Sequence, residues 1–146
     1  MFPRKQLETI GNKLINAEKS HEVWMVNVRA GVNEETDQVL LVNWILREFG
    51  EDVAECFHHS PNGGLRDKRT ASRLKMMGTR RGVPDLLCFC GRDEFVGLAL
   101  ELKLPGGRVS NDQQRWLERL AANGWMTNVA YGLSDAKRIV SEYLHS

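Results

Sequence analysis

The chain has 146 residues, 42% of them hydrophobic, with twenty Lys and Arg against nineteen Asp and Glu and a formal charge of +1. That length suits one domain with a real core, and the apolar share excludes an intrinsically disordered chain. No apolar run approaches the roughly 18 residues of a membrane span, and the N-terminus lacks the apolar region and cleavage site of a signal peptide. Three cysteines, Cys56, Cys88 and Cys90, are an odd number, which predicts free thiols in a reducing compartment. Cys88 and Cys90 share a strand face and read as core thiols, since a lone Cys-x-Cys is weak metal-site evidence.

In chain order, residues 1–33 read as an N-terminal extension with helical spacing at Leu7, Ile10, Leu14 and Ile15. Residues 34–49 predict an apolar helix ended by Gly50. Residues 53–59 alternate enough for a strand, and Pro61-Asn62-Gly63-Gly64 marks a turn. Residues 68–77 form a short basic amphipathic helix stopped by Gly78. Residues 84–90 and 95–104 predict a hairpin around Gly91-Arg92-Asp93-Glu94. A helix over 111–123, a strand over 125–131 and a helix over 135–145 complete the order. The tryptophans mostly sit in apolar patterns and read as core. The class is α/β or mixed α+β, one domain with a central mixed sheet flanked by helices.

Charge is unevenly spread. Residues 1–59 carry a net of −4, residues 83–146 a net of −1, and residues 60–82 a net of +6. A near-neutral total thus conceals a cationic segment containing Arg69, Arg73, Lys75, Arg80 and Arg81. Such a cluster is the footprint of phosphate recognition, although a solvated basic surface has the same composition.

The strand 95–104 concentrates the chemistry. Val96, Leu98, Leu100, Leu102 and Leu104 make an apolar face, and Glu101 and Lys103 project from the other. Gly97 and Ala99 on that second face leave room for a helix to pack close. A strand this apolar belongs at the sheet centre, where ionisable groups are costly unless paired or bound to metal. Asp85 joins Glu101 on its face if hairpin partners have numbers summing to 186, which centres a three- or five-residue loop on Asp93. Two carboxylates, a backbone carbonyl and water suit Mg²⁺ or Mn²⁺, and a lysine beside them can assist an attacking water. A bare Asp…Glu-x-Lys equally describes a strand-end Asp beside an exposed Glu/Lys pair. His58 and His59 alternate to opposite faces, which argues against their acting together.

The ordered set Asn62-Gly63-Gly64, Ala71-Ser72-Arg73-Leu74-Lys75, Gly82-Val83-Pro84-Asp85, Leu100-Glu101-Leu102-Lys103 and Ser110-x-x-Gln113 resembles the virus-type replication-repair nuclease (VRR-NUC) domain of the PD-(D/E)XK nuclease superfamily. The resemblance covers roughly residues 34–145, hence an expected nuclease domain over 34–146. It implies a restriction-endonuclease-like fold and a Mg²⁺- or Mn²⁺-dependent endonuclease that hydrolyses DNA. Asp85, Glu101 and the Leu102 carbonyl would hold the metal, and Lys103 would be the catalytic lysine. A helix carboxylate followed three residues later by Gln also belongs to the pattern, and Glu35 and Gln38 match it. Glu35, Gln38, Val42, Ile45 and Phe49 share a helical stripe, which points Glu35 toward the sheet, with a role at the metal directly or through water. A first-turn anion explains Glu35 as well.

Gln113 carries two readings, a site residue and the last member of a capping box with Ser110. Asn62 is a turn residue or a contact to the scissile strand. Arg69, Arg73, Lys75, Arg80 and Arg81 become candidates for gripping flanking phosphates. Resolvase-like relatives are homodimers, so the resemblance also implies a two-fold pair acting on branched DNA or a four-way junction in replication or repair. It points to the cytoplasm of a bacterial or phage-infected cell. Two other classes compete: a catalytically inactive nucleic-acid-binding module, and a subunit of a larger repair assembly.

Overall fold

Gly50 and Gly78 end their helices because each adopts a positive φ, 84° and 103°, that side-chain-bearing residues resist. These stops divide a computed structural model that describes residues 33–61 and 67–146. Glu34–Ser146 make up one structural unit. The expected extension, apart from Asn33, and the turn residues Asn62, Gly63 and Gly64 lie outside the described residues.

Helix α1 spans Glu34–Phe49, and the single turn α2 spans Glu51–Ala54. Strand β1 covers only Phe57–His59, so the strand expected from residue 53 begins four residues later. Glu51 and Asp52 explain the difference: two acids in a first turn behind Gly50 favour a helical start. Helix α3, Lys68–Met76, is capped by Asp67, whose carboxylate accepts from the Arg69 and Thr70 amides at 3.0 Å. Strands β2 (Leu86–Cys88) and β3 (Gly97–Lys103), helix α4 (Asn111–Ala121), strand β4 (Trp125–Tyr131) and helix α5 (Leu133–His145) follow. Helix α5 begins two residues earlier than expected, and the Asp135 carboxylate caps the end of β4 by accepting from the Tyr131 amide at 3.0 Å.

The sheet order is β1-β2-β3-β4, antiparallel except for the parallel β3–β4 pair. Strand β3 is therefore internal, and all seven of its residues are buried. Its leucines meet Leu41 and Ile45 of α1 and Ala136, Ile139, Val140 and Tyr143 of α5 in one core cluster. Burial of such side chains, about 1.5–3 kcal/mol each, holds both helices on the leucine face. Helix α4 serves the opposite face.

The hairpin register follows the expected offset: Leu86 pairs with Leu100, Leu87 with Ala99 and Cys88 with Leu98. Its connection does not match the expected compact loop. Residues 89–96 separate the strands, and at the tip Arg92 pairs with Phe95 around Asp93, which has φ 51°. The tip is one residue out of step with the inner ladder. Gly91 absorbs the slack: a Cβ there would lie 2.9 Å from the Phe95 carbonyl oxygen. The Val96 amide is meanwhile drawn to the Gly124 carbonyl at 2.9 Å.

Two further expectations are corrected. The space over Gly97 is taken by the Trp125 ring rather than a helix, with a Cβ at Gly97 lying 2.5 Å from the ring and 2.6 Å from the Cys88 carbonyl oxygen. Cys56 and Cys90 are joined in a disulfide, leaving Cys88 as a buried free thiol. The pairing of Phe57 with Cys88 brings Cys56 beside the far end of β2, where the Phe89 amide donates to the Cys56 carbonyl at 2.9 Å. The pair therefore depends on strand register, which cysteine spacing alone does not contain.

Candidate functional site

Asp85 sits just ahead of β2, across the hairpin from Glu101. Its Oδ2 accepts from the Leu102 amide at 2.8 Å, which ties the side chain to β3. Its carbonyl is held from the other side by the Ser60 amide at 3.0 Å and by His59 Nδ1 at 2.9 Å. A carbonyl only accepts, so His59 carries its proton on Nδ1 in this contact. His59 thus has a positioning contact with Asp85 that the alternation argument missed; the end-to-end placement of β1 against β2 creates it.

Glu101 is fully buried. Its Oε1 accepts from Lys103 Nζ at 2.7 Å and from Gln113 Nε2, whereas its Oε2 is buried without a partner. Burial first, and then the neighbouring Asp85 charge, push the Glu101 carboxyl up to about 7 against the opposing pull of Lys103. Burial likewise raises Asp85, partly offset by the Leu102 amide and by Lys103. Burial disfavours the Lys103 ammonium, yet contact with Glu101 and the charges of Glu34 and Asp85 outweigh it and raise its pKa. The lysine also donates to the Leu102 carbonyl at 3.0 Å and lies 3.7 Å from Glu34 Oε2.

Gln113 of helix α4 closes the expected capping box and also contacts Glu101. Its Oε1 accepts from the Ser110 amide at 2.8 Å and its own amide donates to Ser110 Oγ at 3.3 Å, closing the capping box. The remaining Nε2 is free to reach Glu101. One residue therefore fixes the helix start and orients a buried carboxylate.

Helix α1 corrects the choice between two glutamates. Both are exposed, and Glu34 is the one whose carboxylate lies 3.7 Å from the Lys103 ammonium. The buried stripe runs through Gln38, Leu41 and Ile45, with Val42 39% exposed. Glu34 lies one turn ahead of Gln38 on that stripe. Gln38 is itself buried, and its Oε1 and Nε2 have no partner among the described residues, a cost of about 1–3 kcal/mol per group left unsatisfied.

Arg69, Arg73 and Lys75 lie on α3, which has no buried residue, and Arg80 and Arg81 lie in the exposed loop before Asp85. Arg80 and Arg81 gather with Arg115, Trp116 and Arg119 of α4 around a cavity of about 430 Å³. Trp116 is therefore no core residue: it is half-buried, and its Nε1 donates to the Arg81 carbonyl at 2.9 Å. The arginines of α4 were missed because nothing in the sequence relates residues 80–81 to a helix thirty residues on.

Among the described residues no group of three or more His, Cys, Asp and Glu side chains forms a ready-made metal site. The donor set that does converge is Asp85, Glu101 and the Leu102 carbonyl, all hard oxygens of the kind Mg²⁺ and Mn²⁺ take in octahedral geometry. Glu101 Oε2 fits such an ion, because a buried carboxylate oxygen set against the Asp85 carboxyl with no N–H donor is costly until a proton or a cation meets it.

A strand-end Asp, a central Glu-x-Lys and a Gln at the next helix start, on a mixed sheet with flanking helices, define the PD-(D/E)XK class of nuclease folds. The VRR-NUC domain family matches residues 16–133, and the chain belongs to that family. The match starts inside the stretch read as an extension. A solved structure described as a VRR_NUC domain protein is similar at 29% identity with a TM-score of 0.69, covering 79% of this chain and 90% of that one. Comparison with curated proteins finds no match. Membership implies a nuclease, hence DNA binding, and nucleases of this family are generally dependent on a divalent metal. No described helix is long and apolar enough to cross a membrane.

Proposed function

We propose that this protein is a Mg²⁺- or Mn²⁺-dependent DNA endonuclease whose centre is Asp85, Glu101 and Lys103. The observation that carries the reading is the buried Glu101 carboxylate, with one oxygen shared by Lys103 and Gln113 and the other unpartnered beside Asp85. Asp85, Glu101 and the Leu102 carbonyl would hold a divalent ion, which would supply Lewis-acid stabilisation of charge on the scissile phosphate. Lys103 brings a fixed positive charge to the same point and orients the attacking water. The phosphorus–oxygen bond to the leaving nucleotide breaks as the bond to water oxygen forms; the attacking water gives up a proton to solvent and the departing oxygen takes one up from solvent. Gln113 holds Glu101 for this task, and Glu34 takes the place expected of Glu35. Arg69, Arg73 and Lys75 grip the phosphate backbone on either side, with Arg80, Arg81 and Asn62.

The finer reading is structure-selective cleavage of branched DNA. One centre cuts one strand, so symmetric nicking of a four-way junction calls for a second copy related by a two-fold axis. Sedimentation velocity on the chain with junction DNA is expected to show two copies per junction, and a stable monomer that still cleaves contradicts it.

The nuclease reading is tested with end-labelled linear, forked and four-way DNA in Mg²⁺ or Mn²⁺, with chelator controls. Incision that requires the ion and disappears in the Asp85→Ala, Lys103→Ala double variant is the expected result. Incision that survives in that variant overturns the reading. Absence of incision and of metal binding, with DNA affinity intact, favours an inactive binding module.

A further inference from the structure

The cavity beside the carboxylate centre has a chemistry of its own. It is about 430 Å³, within the range that holds a small ligand. Arg80, Arg81, Arg115 and Arg119 line it, against a single acid, Asp112, already paired with Arg115. One wall is aromatic: the Arg119 guanidinium lies 5.6 Å from the centroid of the Trp116 ring, a cation–π stack. The hydrogen bond from Trp116 Nε1 to the Arg81 carbonyl fixes the ring edge-on to the loop that leads into Asp85. With its polar edge held and Arg119 over one face, the ring has its opposite face left for stacking.

The same helix turn joins this wall to the reacting centre. Gln113 points to Glu101, while Asp112, Trp116 and Arg119 follow one another at helical spacing along the cavity side. Loop and helix are locked closely: Gly82, at φ 80°, would place a Cβ 2.5 Å from the Asp112 backbone carbon. A strand leaving the carboxylates across the start of α4 meets the arginines and then the indole.

We infer that this cavity binds an unpaired nucleotide of the DNA strand next to the cleavage point, with phosphate on the arginines and the base stacked against Trp116 and Arg119. The choice of DNA as the occupant rests on the nuclease reading. The choice of an unpaired base follows from the wall, because a base in duplex already spends both faces on its neighbours, whereas aromatic and guanidinium planes take up bases that are splayed out.

The test titrates the full chain with a short oligothymidylate and with a blunt duplex, in chelator so that nothing is cut, reading tryptophan fluorescence and anisotropy. Single-strand binding should quench the emission, and the quenching should vanish in Trp116→Phe while affinity largely persists. The doubly exposed Arg115→Gln, Arg119→Gln variant should bind the single strand about tenfold more weakly and lose much less on duplex. Trp116→Leu should do the same, with circular dichroism confirming that it folds; the arginine variant decides the matter if it does not. Quenching unchanged in Trp116→Phe, single-strand affinity unchanged in the arginine variant, or equal losses on duplex each overturn the inference. Incision by the wild-type chain in Mg²⁺ is read separately. Its failure removes the nuclease reading, and these variants removing nothing while incision stands removes only the cavity's role.

Discussion

Asp85 and Glu101 are two carboxylates forced together in a buried place, and the cost is visible in Glu101, whose carboxyl is pushed up to about 7 by burial and by Asp85. Without metal, Glu101 therefore keeps its proton below about 7, and an incoming cation has to expel it. Mn²⁺ affinity should rise with pH through that range and level off above it, with protons released on binding. Calorimetry in buffers of different ionisation enthalpy reads the release directly, and an affinity flat across the range contradicts the assignment. The sign for stability is the opposite. The folded pKa lies above the ordinary 4.5, so over the interval between them the folded chain holds a proton that the unfolded chain has lost. The Glu101 contribution to metal-free stability is thus present below 4.5 and falls as pH rises toward 7.

Between elements, the decisive contact is the seating of α4 against the loop before Asp85. Gly82→Ala imposes both a strained positive φ and a clash with Asp112, at a cost of about 1–3 kcal/mol. It should displace the start of α4, weaken the Gln113 contact to Glu101 and lower incision more than metal-free stability alone explains. Paired thermal melts and rate measurements check this, and a variant with wild-type rate and melting temperature contradicts it.

The hairpin offset was legible because alternation places Leu98, Leu100 and Leu102 on one face, and only one parity of pairing brings Asp85 to Glu101. The Glu34 or Glu35 choice was not legible. Both stripes run through Gln38 and Ile45, and only the burial of Leu41 over Val42 separates them. That preference comes from where α5 and β3 sit, which helical periodicity cannot express. The cavity escaped notice for the same reason: its two halves meet only in the fold.

At the scale of the whole molecule, a cluster of leucines on β3 and the helices over it bear the structure, while a disulfide ties the approach to β1 to the β2–β3 connection. Cys56 and Cys90 are 34 residues apart, so the bridge closes a loop that an unfolded chain otherwise leaves open. Reduction, or Cys56→Ser, should lower stability by roughly 3–4 kcal/mol in the loop-entropy picture. Denaturant melts with and without reductant measure it, and coincident curves contradict the bridge. The carboxylate centre lies on the far side of the register from this bridge, so incision at a temperature well below melting should persist after reduction. The total near +1 is likewise a sum of opposite local charges, a basic segment of +6 over residues 60–82 against a net acidic remainder, and the proposed function gives each sign its own task, phosphate for the one and a metal cation for the other.

The central claim assigns different tasks to residues two positions apart on one strand, and a single paired measurement separates them. Mn²⁺ affinity and the single-turnover rate of DNA incision are determined together for the wild type, Glu101→Gln and Lys103→Met. Glu101→Gln should lose both ion binding and incision. Lys103→Met should keep ion binding within a few-fold and lose incision by about 10²–10³-fold. Wild-type incision in Lys103→Met, or undiminished ion binding in Glu101→Gln, would contradict the account.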